Sequence, residues 1–394
     1  MNFVEPVVRG QLHQRPATLV RKGGAVTLGY EPDSTVTWDA AGRPWSLNDQ
    51  GTTIRRGLDG QLLLKRRDAD GVRRGRVAAA AAAEVADRAA RLARAALDGF
   101  AALPPDIAQV LAQAASFDAA RHAAEAQRFR SIWSPPGILP PDCYLSVIVQ
   151  GAIGCSFNTC TFCELYHDIR YRVRPPAEFA AHVAAVVEFL GAGLELRPHL
   201  FLGDANALAA EPATVEAQLE ILQRLLPGRA VHAFLDGFSG SRRTPAQCAR
   251  LRQLGLRRVY IGMESGDDEL LRFARKPGNA DDVREAVLAL KQGGLLVGVI
   301  LLAGLGGARH RDAHLERSLA LLRRMELGQG DLVYVSPFVP ERGSEYVRRA
   351  AAAGIDVLDA QAVWQEKDRF LTALRGALPA GVKAVLYDIR DFLY

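Results

Sequence analysis

Between residues 144 and 335 six short apolar runs alternate with five amphipathic stretches, and this alternation constrains the fold more than any other feature of the chain. The apolar runs are Tyr144–Val149, His199–Leu202, Ala230–Leu235, Arg258–Ile261, Leu295–Leu302 and Leu332–Val335. The helical stretches between them are Ala177–Leu190, Thr214–Leu226, Pro245–Leu254, Asp281–Gln292 and Asp312–Met325. Near-continuous apolar strands separated by helices imply a parallel sheet covered by helices. Right-handed crossovers would curl six such units into an open barrel. Chemistry in such folds sits at the C-terminal ends of the strands, so the residues that end each strand carry the functional signal.

Residues upstream have a different texture. Runs at Ala17–Val20, Ala25–Tyr30, Thr35–Trp38 and Gln61–Leu64, separated by turns such as Gly23-Gly24 and Asp59-Gly60, predict a small antiparallel meander. An Ala-rich helix is expected from Val77 to about Leu97, and a second, capped by Asp106, to about Arg130. Ser134-Pro135-Pro136-Gly137 reads as a stiff connector. The expected organisation is an N-terminal α+β domain (1–135), an α/β partial (β/α)6 barrel (136–345) and a C-terminal helical extension or lid (346–394). In the last, Ala384–Tyr394 is a candidate final strand or lid.

Composition excludes several classes. Apolar residues make up 49% and charged residues 24% of the chain, which rules out wholesale disorder. No uninterrupted apolar run reaches the roughly 18 residues of a membrane span. The opening MNFVEPVVRG lacks a basic segment followed by an apolar core, so no secretory leader is expected. Five cysteines are too few for a disulfide scaffold and fit a reducing, cytoplasmic location. The surplus of positive charge lies wholly in residues 1–135, with 19 Lys and Arg against 14 Asp and Glu. Lys65-Arg66-Arg67 and Arg73-Arg74 with Arg76 are its densest part. A nucleic-acid partner is one reading; the other is codon bias toward arginine with the charges solvating a surface, since no aromatics interleave with the basic residues.

The first barrel strand ends in Gly151-Ala-Ile-Gly154-Cys155-Ser-Phe-Asn-Thr-Cys160-Thr-Phe-Cys163, three thiols within nine residues. Close thiolates hold zinc or an iron–sulfur cluster. Zinc asks for a fourth donor, and His167 is the nearby candidate; a [4Fe–4S] cluster on three thiolates leaves one iron open. Three unrelated core cysteines are the remaining alternative. Cys143 and Cys248 read as buried thiols, too few for a second cluster.

This segment resembles the radical S-adenosylmethionine (radical SAM) superfamily, whose loop after the first strand is C-x3-C-x2-C; here the first gap is one residue longer. The similarity is to the core shared by the Elongator-type and oxygen-independent coproporphyrinogen oxidase-like members, and covers about residues 143–340. It implies a [4Fe–4S] cluster on Cys155, Cys160 and Cys163, S-adenosylmethionine on the open iron, and a one-electron donor of flavodoxin or ferredoxin type. It places Phe162 near the adenine. Gly203-Asp204 is similar to the element that holds the methionine amino group, although Gly-Gly-Glu itself is absent. Glu264-Ser265-Gly266 is similar to the strand end whose acid binds the ribose hydroxyls, and Ile300 to Gly304 to the stretch that lines the adenine pocket. The implied activity is reductive cleavage of S-adenosylmethionine to a 5′-deoxyadenosyl radical, which takes hydrogen from a small-molecule or peptide substrate.

Other readings stay beside it. Glu264 also fits a helix N-terminal acid, and Gly304-Leu-Gly306-Gly307 an ordinary turn. The latter is no dinucleotide fingerprint. Asp312-Ala-His314 has the form of a cobalamin-binding D-x-H, but no separate nucleotide-type domain surrounds it; His314 also fits an exposed helix-start residue. Tyr166, Arg172 and Arg174 are candidates for an anionic substrate, for covering the cluster, or for solvated helix-start charges. Trp38, Trp45, Arg55 and Arg56 are expected at the barrel mouth if the N-terminal domain covers it, with core packing as the alternative for the tryptophans. Two further function classes are an RNA-modifying enzyme and a non-catalytic metal-binding barrel.

Overall fold

A computed structural model describes residues 7–68 and 71–394; residues 69–70 and the opening segment 1–6, on which the expectation of no secretory leader partly rests, lie outside it. Eight antiparallel strands follow one another in a single sheet: β1 (Val7–Leu12), β2 (Arg15–Lys22), β3 (Ala25–Tyr30), β4 (Thr35–Asp39), β5 (Pro44–Asp49), β6 (Thr52–Arg56), β7 (Leu62–Asp68) and β8 (Gly71–Arg76). The meander therefore continues through the basic cluster. Lys65 faces Arg74, and Arg66 faces Arg73, in the β7–β8 ladder.

Three helices follow: α1 (Ala79–Gly99), α2 (Pro105–Ala115) and α3 (Ala119–Ile132). The alanines of α1 (Ala86, Ala89, Ala93, Ala96) are buried, and small side chains let the helix approach the sheet closely. Leu19, Leu28, Trp38, Ile107 and Leu111 fill the space between. The single helix expected to Arg130 is broken at 116–118, because the Asp118 carboxylate accepts from Arg121 N at 2.9 Å and starts a new helix. Pro104, and not Asp106, occupies the cap position of α2; Asp106 lies in the first turn and pairs with Arg21.

The second sheet is parallel: β9 (Val147–Gln150), β12 (His199–Gly203), β13 (Ala230–Phe234), β14 (Leu256–Glu264), β15 (Leu296–Ala303), β16 (Leu332–Pro337) and β17 (Lys383–Leu386), in that spatial order. Two short strands, β10 (Ala152–Ile153) and β11 (Arg172–Val173), form a hairpin outside it. The helices α4 (Pro176–Leu190), α5 (Pro212–Leu225), α6 (Gly237–Gly240), α7 (Pro245–Gln253), α8 (Asp268–Phe273), α9 (Ala280–Gln292), α10 (Arg311–Leu322), α11 (Glu345–Ala352) and α12 (Ala360–Ala377) complete the chain. Large inward-facing side chains close the barrel floor. The hydroxyls of Tyr260 and Tyr334 donate to the two oxygens of Asp142 at 2.7 and 2.6 Å. Gly298 lies beneath the Tyr260 ring, where a Cβ would sit 2.5 Å from Cδ1.

The C-terminal segment contributes a seventh parallel strand, overlapping the run expected as a final strand or lid: β17 pairs in parallel with β16, Tyr334 opposite Val385. Residues 387–394 then cross from this edge of the open barrel to the other. There Ile148 N donates to the Tyr394 hydroxyl at 2.7 Å, and the Trp133 indole N–H donates to Ile148 O at 2.9 Å. Both backbone groups of Ile148 on the open edge of β9 are thereby satisfied, as buried backbone requires.

The meander does not cover the barrel mouth. It docks at the opposite end, where Arg43 donates to the carbonyls of Phe189 and Leu190 at the end of α4, and Arg21 pairs with Glu195 at 3.0 Å. Trp38 is fully buried in the meander core. Trp45, on β5, is not among the cavity-lining residues described below. Arg56 binds His122 and Glu125, and Arg55 donates to Asp391 O. Among the described residues one helical stretch, Pro176–Leu196, is long and apolar enough to cross a membrane by length and composition; here α4 buries Phe179, Val183, Val186 and Phe189 in the common core.

Candidate active site

A cavity of about 630 Å³ opens at the C-terminal ends of the barrel strands. Strand alternation decides what faces it. On β14, Arg258, Tyr260 and Gly262 share one face, and a bulge between Gly262 and Glu264, with φ +58° at Glu264, brings that carboxylate over Gly262. The lower pair fills the floor, and the upper pair leaves space because Gly262 has no side chain: a Cβ there would sit 2.2 Å from Glu264 Oε1. Among the residues singled out from sequence, Phe162, Cys163, Glu264 and Ile300 line this cavity together.

The cysteine loop spans residues 154–171. Its base is stapled by the β10–β11 pair, with Ala152 opposite Val173 and Ile153 opposite Arg172. Gly154 turns the chain with φ +78°, beside Ile169 O. Asn158 Nδ2 donates to Tyr166 O, Cys163 N to Cys160 O at 3.1 Å, and Thr161 N to Ala274 O at 3.0 Å. Arg172 pairs with Glu178 at 2.8 Å, and Arg174 donates to Gln150 O at 3.1 Å. Tyr166, expected near an anion or the cluster, is buried under the loop against Gly137. These three residues therefore shape the loop.

Cys155, Cys160 and Cys163 are half-buried. Burial pushes the Cys160 thiol up to about 12; Lys276 acts against that shift, while Glu264 and the other two cysteines add to it. Cys163 is also raised, by burial first. Without metal the two are thus held as thiols, and a bound cation is what would make thiolates of them. No group of three or more His, Cys, Asp or Glu among the described residues converges as a single metal ion needs. A cluster places each thiolate on a different iron, so the donors need not converge on one point. His167 is exposed. The donor set fits a [4Fe–4S] cluster with one iron left uncovered.

Asp204 lies behind the loop. Its carboxylate accepts from Gln150 Nε2 at 3.0 and 3.1 Å and from Gly154 N at 3.2 Å, and its own N–H donates to Ala152 O at 3.0 Å. Burial raises its pKa to about 6, against the hydrogen bonds and the charge of Arg174. Gly203 and Asp204 thus back the loop and do not line the cavity. Ser265 also stands behind its strand end: its hydroxyl meets His314 Nδ1 at 2.7 Å and accepts from Asp267 N at 3.0 Å. Gly304, with φ +94°, makes the turn after β15 against Val363. His314 is fully buried, not an exposed helix-start residue. Nε2 lies 3.0 Å from Leu302 O, which can only accept, so Nε2 carries the proton and Nδ1 accepts from Ser265. With both nitrogens spent, it has none to offer a metal.

Several residues that position the site escaped the sequence reading. Lys276 donates to Glu264 Oε1 at 2.9 Å. Burial alone would lower its pKa, but Glu264 and Cys160 outweigh burial and hold the ammonium charged. Its signal was its rarity, one of six lysines beside 43 arginines. Asn206 donates to Ser156 Oγ at 2.9 Å and accepts from Asp236 N at 3.1 Å, tying the second and third strand ends to the loop.

The basic cluster is largely consumed within the chain. Arg74 Nε pairs with Asp391 at 2.6 Å, Lys65 with Asp391 at 3.2 Å, and Arg76 donates to Phe392 O at 2.8 Å. These contacts hold the segment whose Tyr387, Asp388, Ile389 and Arg390 form one wall of the cavity.

The family profile of the radical SAM superfamily matches residues 150–321. The 4′-phospho-dehydrooxetanocin synthase of Priestia megaterium is 26% identical in an alignment 215 positions long that covers 48% of this chain and 28% of that protein. Among solved structures, coproporphyrinogen III oxidase from Escherichia coli, described as a radical SAM enzyme, aligns over 64% of this chain and 56% of its own at 12% identity, TM-score 0.44. Methylornithine synthase aligns over 77% of each chain at 17% identity, TM-score 0.39. The matched segment begins at the end of β9 and encloses the cysteine loop and Glu264, so residues 150–321 form a domain similar to those of the radical SAM superfamily, whose members use a [4Fe–4S] cluster and S-adenosylmethionine.

Proposed function

We propose that Cys155, Cys160 and Cys163 hold the cluster and that S-adenosylmethionine occupies the adjoining end of the cavity, between the cysteine loop and Glu264. The observation that carries this reading is one cavity lined by Cys163, Phe162, Glu264 and Ile300. When bound and reduced by one electron from a flavodoxin- or ferredoxin-type donor, these cofactors supply a 5′-deoxyadenosyl radical that takes a hydrogen atom from substrate. The chain's own residues orient and exclude water. Glu264, fixed by Lys276 at Oε1, offers its other oxygen to hydroxyl donors such as a ribose. Phe162, edge-on to Phe338 with centroids 6.3 Å apart, supplies an apolar face for a flat ring. Asp204, Gln150 and Asn206 keep the loop in place.

The substrate reading is a small organic molecule or a peptide. The cavity rim carries Glu164 and Glu341, neither with an ion-pair partner among the described residues, and its Arg390 is already paired with Asp388 at 2.8 Å. A polyanion would meet uncompensated carboxylates there. The relative's name includes a phosphate, and this rim does not favour one. Lys65, Arg74 and Arg76 are engaged by the C-terminal segment, which also weakens the RNA reading.

Anaerobic reconstitution with iron and sulfide, followed by visible and EPR spectra and an assay for 5′-deoxyadenosine with dithionite and S-adenosylmethionine, tests the assignment. Cys160→Ala is expected to lose both cluster and product; full cleavage by that variant would refute it.

A further inference from the structure

The outer part of the cavity, which includes Glu164 and Leu165 at the outer edge of the cysteine loop, has a chemistry of its own. Its inner end is Ser336, directed into the barrel by the same alternation that turns Tyr334 inward. Ser336 is 3% exposed, and its hydroxyl has no partner among the described residues. The hydroxyl of Ser336 opens to the cavity, where a ligand's polar group can bond it, and the neighbouring Tyr387 hydroxyl is buried without a partner among the described residues.

The walls beyond Ser336 are apolar. Trp364 stands on α12, with Lys367 and Arg390 over its ring at 5.0 and 5.1 Å. Leu165, Val339 and Ile389 ring the opening, and they are three of the five large apolar side chains exposed among the described residues (43%, 49% and 49%). Apolar side chains gathered at a cavity mouth mark a binding site. The same rim holds the two unpaired carboxylates, Glu164 and Glu341.

We propose that this part of the cavity binds an amphipathic organic cation. The ligand has a hydrogen-bonding group at its inner end for Ser336, an apolar body against Trp364, and a positive group at the rim near Glu164 and Glu341. The proposal deepens the function above and rests on it only in assigning the cysteine-loop end of the cavity to the cofactors.

Four probes separate the elements of this site: para-substituted benzamides whose four-carbon arms end in an ammonium, a hydroxyl or a carboxylate, and 4-phenylbutylamine, which lacks the amide. Binding is measured by equilibrium dialysis at low salt on the reconstituted, unreduced protein, with and without S-adenosylmethionine. The ammonium-armed benzamide is expected to bind at least tenfold tighter than the carboxylate-armed one. Glu164→Gln with Glu341→Gln is expected to cut that ratio below threefold and leave the hydroxyl-armed benzamide unchanged, since exposed ion pairs each contribute only a few-fold. Ser336→Ala is expected to weaken the benzamides about three- to tenfold and leave 4-phenylbutylamine unaffected.

Equal or tighter binding of the carboxylate overturns the proposal, as does absence of binding by all four at millimolar concentration. Complete displacement by S-adenosylmethionine also overturns it, because the probes would then occupy the cofactor's place. Because binding is read without turnover, an inactive cluster with intact probe binding would count against the proposed function alone.

Discussion

The ammonium of Lys276 lies 2.9 Å from Oε1 of Glu264, with only 12% and 9% of the two side chains exposed. Neither charge tolerates the loss of the other in such a place, because breaking a buried pair leaves an uncompensated ion. The pair is possible only because Gly262 beneath it has no side chain; a Cβ there would also lie 3.0 Å from Lys276 Nζ.

Lys276→Met is expected to destabilise the protein by about 3 kcal/mol, the usual scale for a broken buried pair. Lys276 has a raised pKa, so its contribution is complete below the unfolded lysine value and is lost as pH rises through the higher folded one. The difference between wild type and variant in urea unfolding should therefore stay constant from pH 6 to 9 and shrink only under stronger alkali.

Gly262→Ala should push Glu264 off its position while sparing the cysteines. The expected outcome is full iron and sulfide content with S-adenosylmethionine binding weakened about tenfold or more, read by equilibrium dialysis. Wild-type affinity in this variant would remove Glu264 from the cofactor site.

Alanine at Cys155, Cys160 or Cys163 should abolish the cluster absorbance, whereas Cys143→Ala and Cys248→Ala should retain it. Cys143 sits in the barrel floor, with Sγ 3.1 Å from both His232 Nδ1 and the Tyr260 hydroxyl, and burial pushes its thiol up to about 12. Cys248 is buried on α7. Iron analysis of the five variants decides the matter.

His314 gives a pH signature. Burial lowers its pKa to about 4, against an ordinary value of 6.5, so between those values the unfolded chain binds the extra proton and stability falls as pH falls. His314→Gln should lower stability at pH 8, where the neutral ring keeps its bonds to Leu302 and Ser265. At pH 5 the gap between wild type and variant should narrow by about 2 kcal/mol. A gap independent of pH would show that the ring is not held neutral.

The C-terminal wall offers a fifth test. Burial alone would raise the Asp391 pKa, but Arg74 and Lys65 bring it below the ordinary carboxylate range. Its contribution is present above the unfolded aspartate value and is lost as pH falls through the folded one. Asp391→Asn should cost about 1 kcal/mol at pH 7, as a partly exposed charge network does. It should also speed amide exchange across residues 387–394, while variants of the exposed Arg15–Glu31 pair should not.

Local sequence was sufficient wherever one element alone sets the outcome. The alternation of apolar and amphipathic segments specifies a parallel sheet wrapped by helices, because each strand buries both faces and each helix one. Three thiols on one loop point to the cluster proposed above, because their spacing along the chain keeps them near one another whatever the rest of the fold does. The rest depended on contacts between residues far apart in the chain. Lys276 reads as one more surface cation until α8 and the turn after it carry it to Glu264. The basic residues of β7 and β8 read as a nucleic-acid or a merely solvated surface until the segment after β17 leads Asp388, Asp391 and Phe392 across to them. Ser265 follows the inward-facing Glu264, yet its bonds to His314 and Asp267 turn it behind the strand end, and Gln150 and Gly154 likewise draw Asp204 behind the loop. Charge and polarity can be read residue by residue, but the partner that neutralises a charge is chosen by the tertiary fold, since burial makes an unpaired ion too costly to leave alone.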